Sequence, residues 1–372
     1  MKSASHRKLL HRGLCAGLVM LAACGGGGDS SNGGGMGSSG YVAMSLVSDV
    51  NTAANPYSSP HTDSHLVNPW GIAFNPQGFV WVANNATSTS TLYDGNGVQQ
   101  SLIVAIPPGT AGPAKPTGIV FSASQSFQVS QGGVAGASRF IFAGEAGTIS
   151  GWAPNVNMTN AITVFDGASA GKIYKGLAIG NQAGADRLFA SDFHNGTVDV
   201  FDANFAPIAV AGGFIDANLP AGYAPFGIQV IGSLVYVAYA KQDAAREDEE
   251  AGAGLGIVNT FDLSGNLVKR LIPAGGKLNA PWGIAMAPSN FGAFSNALLV
   301  ANFGDGRINA YDATTGASLG TLASPAGTPI AIEGLWGIAF GNGINGQPTN
   351  TLFYAAGPAD ETHGAYGRID SQ

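Results

Sequence analysis

Six residues stand one place before six regularly spaced glycines: Trp70, Thr117, Lys175, Phe226, Trp282 and Trp336. Brought around one axis, four aromatic rings and a lysine would cradle a flat ring or sugar bearing an anionic group. The same side chains also suit wedges between packed elements, and the lysine reads as a solvated surface cation. A second set follows apolar runs: Asn84, Asn85, Glu145, Asp192 and Asn302. Their oxygens would suit calcium, with Glu145 and Asp192 as the metal candidates. Each can equally cap its own turn, and no local ligand spacing is present.

Beyond Cys24 the histidines are His61, His65, His194 and His363. His61 and His65 are four apart, but Pro60 and a polar loop composition argue against one helix face presenting both. No Ser-His-Asp or Cys-His set is legible, so no catalytic residue is assigned. Between Lys241 and Gly256 stand Asp243, Glu247, Asp248, Glu249 and Glu250. This stretch reads as a solvated acidic loop, or as a lid that binds a partner or a cation.

The elements that must position these residues are set by internal repetition. The six openings are Pro69-Trp70-Gly71-Ile72-Ala73-Phe74, Pro116-Thr117-Gly118-Ile119-Val120-Phe121, Tyr174-Lys175-Gly176-Leu177-Ala178-Ile179, Pro225-Phe226-Gly227-Ile228, Pro281-Trp282-Gly283-Ile284-Ala285 and Leu335-Trp336-Gly337-Ile338-Ala339-Phe340. Their glycines lie 47, 58, 51, 56 and 54 residues apart. A second apolar run follows each opening, such as Val80-Trp81-Val82-Ala83-Asn84. A third often ends in aromatic-Asp, as at Tyr93-Asp94, Phe201-Asp202, Phe261-Asp262 and Tyr311-Asp312. Aspartate hydrogen-bonds its own turn there and a nearby glycine supplies positive φ.

Four antiparallel strands repeated about every 50 residues predict a β-propeller, since one such sheet cannot cover both its faces alone. The fold class is all-β, with six four-stranded blades. The last repeat supplies only three strands, and Tyr41 to Val47 is an unassigned strand before the first. That strand is expected to complete blade six and close the ring without an open edge.

These motifs resemble the NHL and YWTD group of six-bladed propellers. The likeness lies in Pro-x-Gly-Ile-Ala, the Val-Ala-Asn second-strand ending and Gly-x-Ile-x-x-Tyr-Asp at Gly306 to Asp312. The full order, with Gly-Ala-Gly-Leu-Gly at 252–256, is similar to an uncharacterised family of secreted bacterial propellers. The Glu/Asp/Asn set resembles the calcium or zinc site of propeller lactonases, and this resemblance is what implies metal.

Lys2, Arg7, Lys8 and Arg12 precede an apolar run from Gly13 to Ala23, too short to span a bilayer. It ends in Leu21-Ala22-Ala23-Cys24, which looks like the box that directs acylation of a cysteine. Gly25 to Gly40 holds nine glycines and four serines and reads as a flexible tether. Expected boundaries are therefore a signal peptide over 1–23, an acylated Cys24 and tether over 24–40, and a propeller over 41–372. Loss of 1–23 removes four cations and no anion, shifting the formal charge from −7 to −11. Such a body has no electrostatic footprint for nucleic acid.

Together these residues predict an exported monomer, lipid-anchored in the cell envelope and directed to the outer membrane. It would bind a small molecule or protein partner at its loop face, through Trp70, Lys175, Phe226, Trp282, Trp336, Asn84, Asp192 and Asn302. The alternatives are a metal-dependent lactonase- or lyase-type propeller enzyme, and an envelope assembly scaffold.

Overall fold

In the computed structural model, which describes residues 40–51 and 57–372, each of the six repeats forms one antiparallel sheet. Blade one runs Pro69–Phe74, Val80–Asn84, Thr89–Tyr93 and Gln99–Ala105, each strand paired to the next. The second strand, Val80–Asn84, is buried along its whole length because sheets pack against both its faces. The innermost strands touch in order around the ring, and that of blade six returns against blade one.

The repeat glycine sits where neighbouring blades come closest. A Cβ on Gly71 would lie less than 3.0 Å from the Thr117 carbonyl of the next blade. A Cβ on Gly337 would meet the Trp70 carbonyl in the same way, across the seam that closes the ring. This is the steric reason for glycine that the repeat implied. The aromatic-Asp turns also form as expected. Asp94 Oδ1 accepts from the N–H groups of Asn96 at 2.8 Å and Val98 at 2.9 Å, with Gly97 at φ +86°.

Closure follows the predicted route and runs one residue further. Tyr41–Ser48 pairs antiparallel with Ala365–Ser371, from Tyr41 opposite Ser371 to Ser48 opposite Ala365. Tyr41 is buried and its hydroxyl donates to the Phe291 carbonyl at 2.9 Å. A two-residue strand, His61–Thr62, then pairs parallel with Val47 and Ser48 and covers part of that outer edge.

Two short pairings inside the excursions were not read from the sequence. A hairpin, Gln128–Gln131 with Val134–Ala137, lies between the first and second strands of blade two and accounts for the longest glycine spacing. In blade four, Glu249–Glu250 folds back to pair with Gln242 and Lys241. The leader, Cys24 and the tether up to residue 39 lie outside the described residues. Among the described residues no helix is long and apolar enough to cross a membrane.

Candidate functional site

The six residues before the glycines do converge on the axis, and they fill it. Trp70, Phe226, Trp282 and Trp336 form one buried cluster with Phe193. Trp70 stacks on Trp336 with centroids 3.5 Å apart and planes 16° apart. Phe303 stacks on Trp336 at 4.0 Å. Trp282 stands edge-on to both Trp70 and Trp336 and donates from Nε1 to the Lys175 carbonyl at 2.7 Å. Trp336 Nε1 donates to Asn68 Oδ1 at 3.1 Å. Thr117 is buried and its hydroxyl donates to the Tyr174 carbonyl at 2.8 Å. The aromatic ring is thus a plug of side chains and not an open platform. Trp70 Nε1 is buried without a hydrogen-bond partner among the described residues.

Lys175 corrects the sequence reading of a solvated cation. It is 1% exposed, with Nζ 5.3 Å above the Trp70 ring. Nζ lies 2.5 Å from Glu145 Oε1 of blade two and 3.1 Å from Asp248 Oδ1 of blade four. A lysine is buried here because the acidic loop folds over it and supplies a counter-charge. The loop is still solvated over most of its length, with Glu247, Asp248 and Glu250 exposed, while Asp248 reaches back to Lys175. The sequence could not foresee the contact, since its partners come from three different repeats.

Four carboxyl groups interact electrostatically with this one ammonium: Glu145, Asp248, Glu249 and Glu361. Burial alone would lower the Lys175 pKa, but Glu145, Asp248 and Glu249 more than offset it and the value rises. Burial acts to raise Glu145, yet Lys175, Lys115 and a hydrogen bond donated by Asn85 Nδ2 bring it below the usual carboxylate range. Glu249 lacks a direct ion pair, so burial prevails over the pull of Lys175 and pushes it up to about 8. Burial also raises Glu361, against the pull of Lys175; its Oε2 accepts from Asn68 Nδ2 at 3.0 Å. Lys115 and Glu361 were not singled out from the sequence. Their one signal is position: Lys115 directly precedes an opening Pro116, and Glu361 lies in a second-to-third-strand loop.

Beside this cluster is a cleft of about 260 Å³, lined in part by Pro113, Lys115, Glu145, Ile173, Glu247 and Asp248. It lies on the loop face.

The remaining second-strand ends do not join the cluster. Asn84 is buried and donates to Thr89 Oγ1 and Thr91 Oγ1 at 3.1 and 3.0 Å. Asn302 is buried and donates to the Lys277 carbonyl and Asp305 Oδ1. Asp192 accepts from Lys172 Nζ at 3.3 Å and Asn195 Nδ2 at 2.8 Å. Each holds its own blade's loops, as a turn cap would. For calcium the donor set does not fit. Lysines occupy both Glu145 and Asp192, and among the described residues no group of three histidines, cysteines or acids could hold a metal.

Two histidines are oriented by aspartates on the closing segment. His363 Nδ1 is 2.8 Å from Asp49 Oδ2, and His65 Nδ1 is 3.0 Å from Asp63 Oδ1. Asp63 also accepts from the Tyr93 hydroxyl and Gln99 Nε2, both at 2.7 Å. Among the described residues no hydroxyl or thiol is bonded to either ring. At the opposite end, the axial channel opens as a cavity of about 370 Å³ lined by Ile72, Phe74, Phe121, Gln229, Met286 and Phe340, among others.

Fold and site together define a six-bladed β-propeller with a plugged axis and a charged cleft on its loop face. No family model matches the chain. It is 34% identical over 319 residues to an uncharacterized protein of Acanthamoeba polyphaga mimivirus, covering 83% of this chain and 76% of that one. A second uncharacterized protein of the same virus is 33% identical over 304 residues, covering 79% and 77%. The chain belongs to the family of these mimivirus proteins. Among solved structures, a protein of unknown function from Bacteroides thetaiotaomicron matches with a TM-score of 0.54 and 11% identity, over 90% of this chain and 76% of that one. A streptogramin B lyase matches with a TM-score of 0.51 and 12% identity, over 89% and 98%. These two likenesses are of fold.

Proposed function

We propose that the chain is a binding propeller, held at the cell envelope through an acylated Cys24, that takes a small cationic ligand in the loop-face cleft. The observation that carries this reading is the junction at Lys175. Blades two, three and four meet there through Glu145, Lys175 and Asp248, and the acidic loop walls a cleft beside them. Carboxylates outnumber ammonium groups in that cleft, so an amine could exchange for part of the internal pairing. The plugged axis lies beneath, which keeps the ligand in the loops and out of the channel. Small primary amines and amino acids screened by thermal shift against the mature protein test this. A member of the set should raise Tm, and the Glu247→Gln, Asp248→Asn double variant should lose that rise. No shift from any amine, or an undiminished shift in the variant, would overturn the ligand class. For the anchor, Cys24→Ala should release the protein from membranes or block its processing; a variant that is cleaved and retained normally counts against it.

A second reading, a lyase-type enzyme, draws support from Glu249. A half-buried carboxyl titrating at about 8 is protonated at neutral pH and suits a general acid. The streptogramin B lyase shares only the fold, and a fold by itself carries no activity. The binding reading is preferred because, among the described residues, the hydrogen bonds of the His65 and His363 rings go to carboxylates and not to a hydroxyl or thiol.

A further inference from the structure

The seam between blades one and two holds a cavity of about 540 Å³, separate from the loop-face cleft. Phe79, Trp81 and Leu92 wall it from blade one, and Phe121, Phe140 and Trp152 from blade two. Trp81 stacks on Phe140 with centroids 4.0 Å apart, Trp152 leans on Trp81 at 4.7 Å, and Phe121 meets Phe140 edge-on at 5.4 Å. At the rim stands Arg139, which ends the hairpin excursion of blade two.

The internal repeat shows that the fold does not require this aromatic set. The position facing the end of the third strand is Val80, Leu188, Val235, Leu298 and Leu352 in the other five blades, and Phe140 in blade two. Opposite Phe140 is Trp152, where four other blades place the tyrosine or phenylalanine of an aromatic-Asp turn. In blade two Ala153 and Pro154 follow instead, so the aspartate turn is absent and Pro154 lines the cavity. Five blades pack with an aliphatic residue here; blade two alone of the six carries a ring, and a cavity beside it.

The charge at the rim is also uncommitted. Arg139 donates from Nη1 to the carbonyls of Ala123 and Ser124, at 3.2 and 3.1 Å. Those bonds fix the guanidinium plane, while Nη2 and Nε have no protein partner among the described residues. A guanidinium stays charged at any working pH and presents paired donors that match a carboxylate.

We propose that this seam pocket binds a small aryl acid, its flat ring against the wall of Phe121, Phe140 and Trp152 and its anionic group on Arg139. The cavity falls within the roughly 300–1,000 Å³ of ordinary small-molecule sites. It lies away from the loop-face cleft, so the two proposals fail independently.

The probe is 2-naphthoate, with uncharged 2-naphthamide as its control, titrated into the mature protein and followed by quenching of tryptophan emission. Naphthoate should bind saturably, and about tenfold more tightly than naphthamide, as expected for one charge-assisted contact. Arg139→Gln should bring naphthoate down to the affinity of naphthamide. Phe140→Leu should weaken both, with the fold kept, because leucine occupies this register in blades three, five and six. A melt of each variant verifies folding. Absence of saturable naphthoate binding overturns the proposal, as do equal losses for both probes in Arg139→Gln or unchanged binding in Phe140→Leu.

Discussion

Trp70 and Trp336 stack at 3.5 Å across the seam where the first blade meets the last. The ring is therefore closed twice, once at its rim by strand pairing and once at its axis by two indoles. An aromatic plug of this kind contributes by packing, whether or not anything binds above it.

Truncating either indole should be costly. Trp336→Ala and Trp70→Ala are each expected to lower unfolding free energy by about 3–5 kcal/mol, the usual figure for a buried aromatic. Urea denaturation measures this. Near-wild-type stability in both would mean that the rings form a platform and not a core.

Lys175→Met should also destabilise the fold, by about 3–5 kcal/mol, because it leaves Glu145 with only the exposed, more distant Lys115 as a cation, 3.8 Å away. Adding Glu145→Gln should recover part of that loss, since the orphaned charge is then gone. A double variant no better than the single one would show that the ion pair is not what Lys175 supplies.

The pH dependence follows from two carboxyls shifted in opposite directions. Glu249 has a folded pKa of about 8, above its ordinary 4.5, so the folded chain holds that proton more firmly than the unfolded chain. Its contribution is complete below about pH 4.5 and is lost as pH rises towards about 8. Glu145 is shifted down, so its contribution is present above the ordinary carboxylate range and is lost on acidification. The two contributions together should peak near about pH 4.5 and decline as pH rises from there towards about 8, and Glu249→Gln should flatten that alkaline decline. An unchanged alkaline limb in that variant would remove Glu249 as its source.

Removal of Tyr41–Ser48 should cost several kcal/mol, more than a typical point change of roughly 0.5–3 kcal/mol. Shortening the glycine-serine stretch before it should leave Tm unchanged. Equal melting temperatures for the two deletions would contradict closure by this strand.

The ring was legible because its determinants are local and repeated six times. Gly71 and its five counterparts are glycine for a contact that recurs at every blade interface, so one steric rule is written six times. Lys175 was not legible, since its burial depends on Asp248 from the next blade's excursion and Glu145 from the previous blade. Nothing near Lys175 in the chain distinguishes it from a solvated lysine. The seam pocket lies between these cases. Phe140 and Trp152 depart from the repeat, but the departure shows only once strand register aligns them with Leu188 and Phe201.

Pairing of Tyr41–Ser48 with Ala365–Ser371 also sets an order of events. The earliest strand of the ring docks on its last, so it must wait, unpaired, while blades one to five assemble. Contacts this distant along the chain are slow to form. During that interval blade six has an exposed edge on Ala365–Ser371, which any free strand could occupy. A second copy of the chain offers the same Tyr41–Ser48 segment, so exchange of this strand between copies is the characteristic error open to the fold.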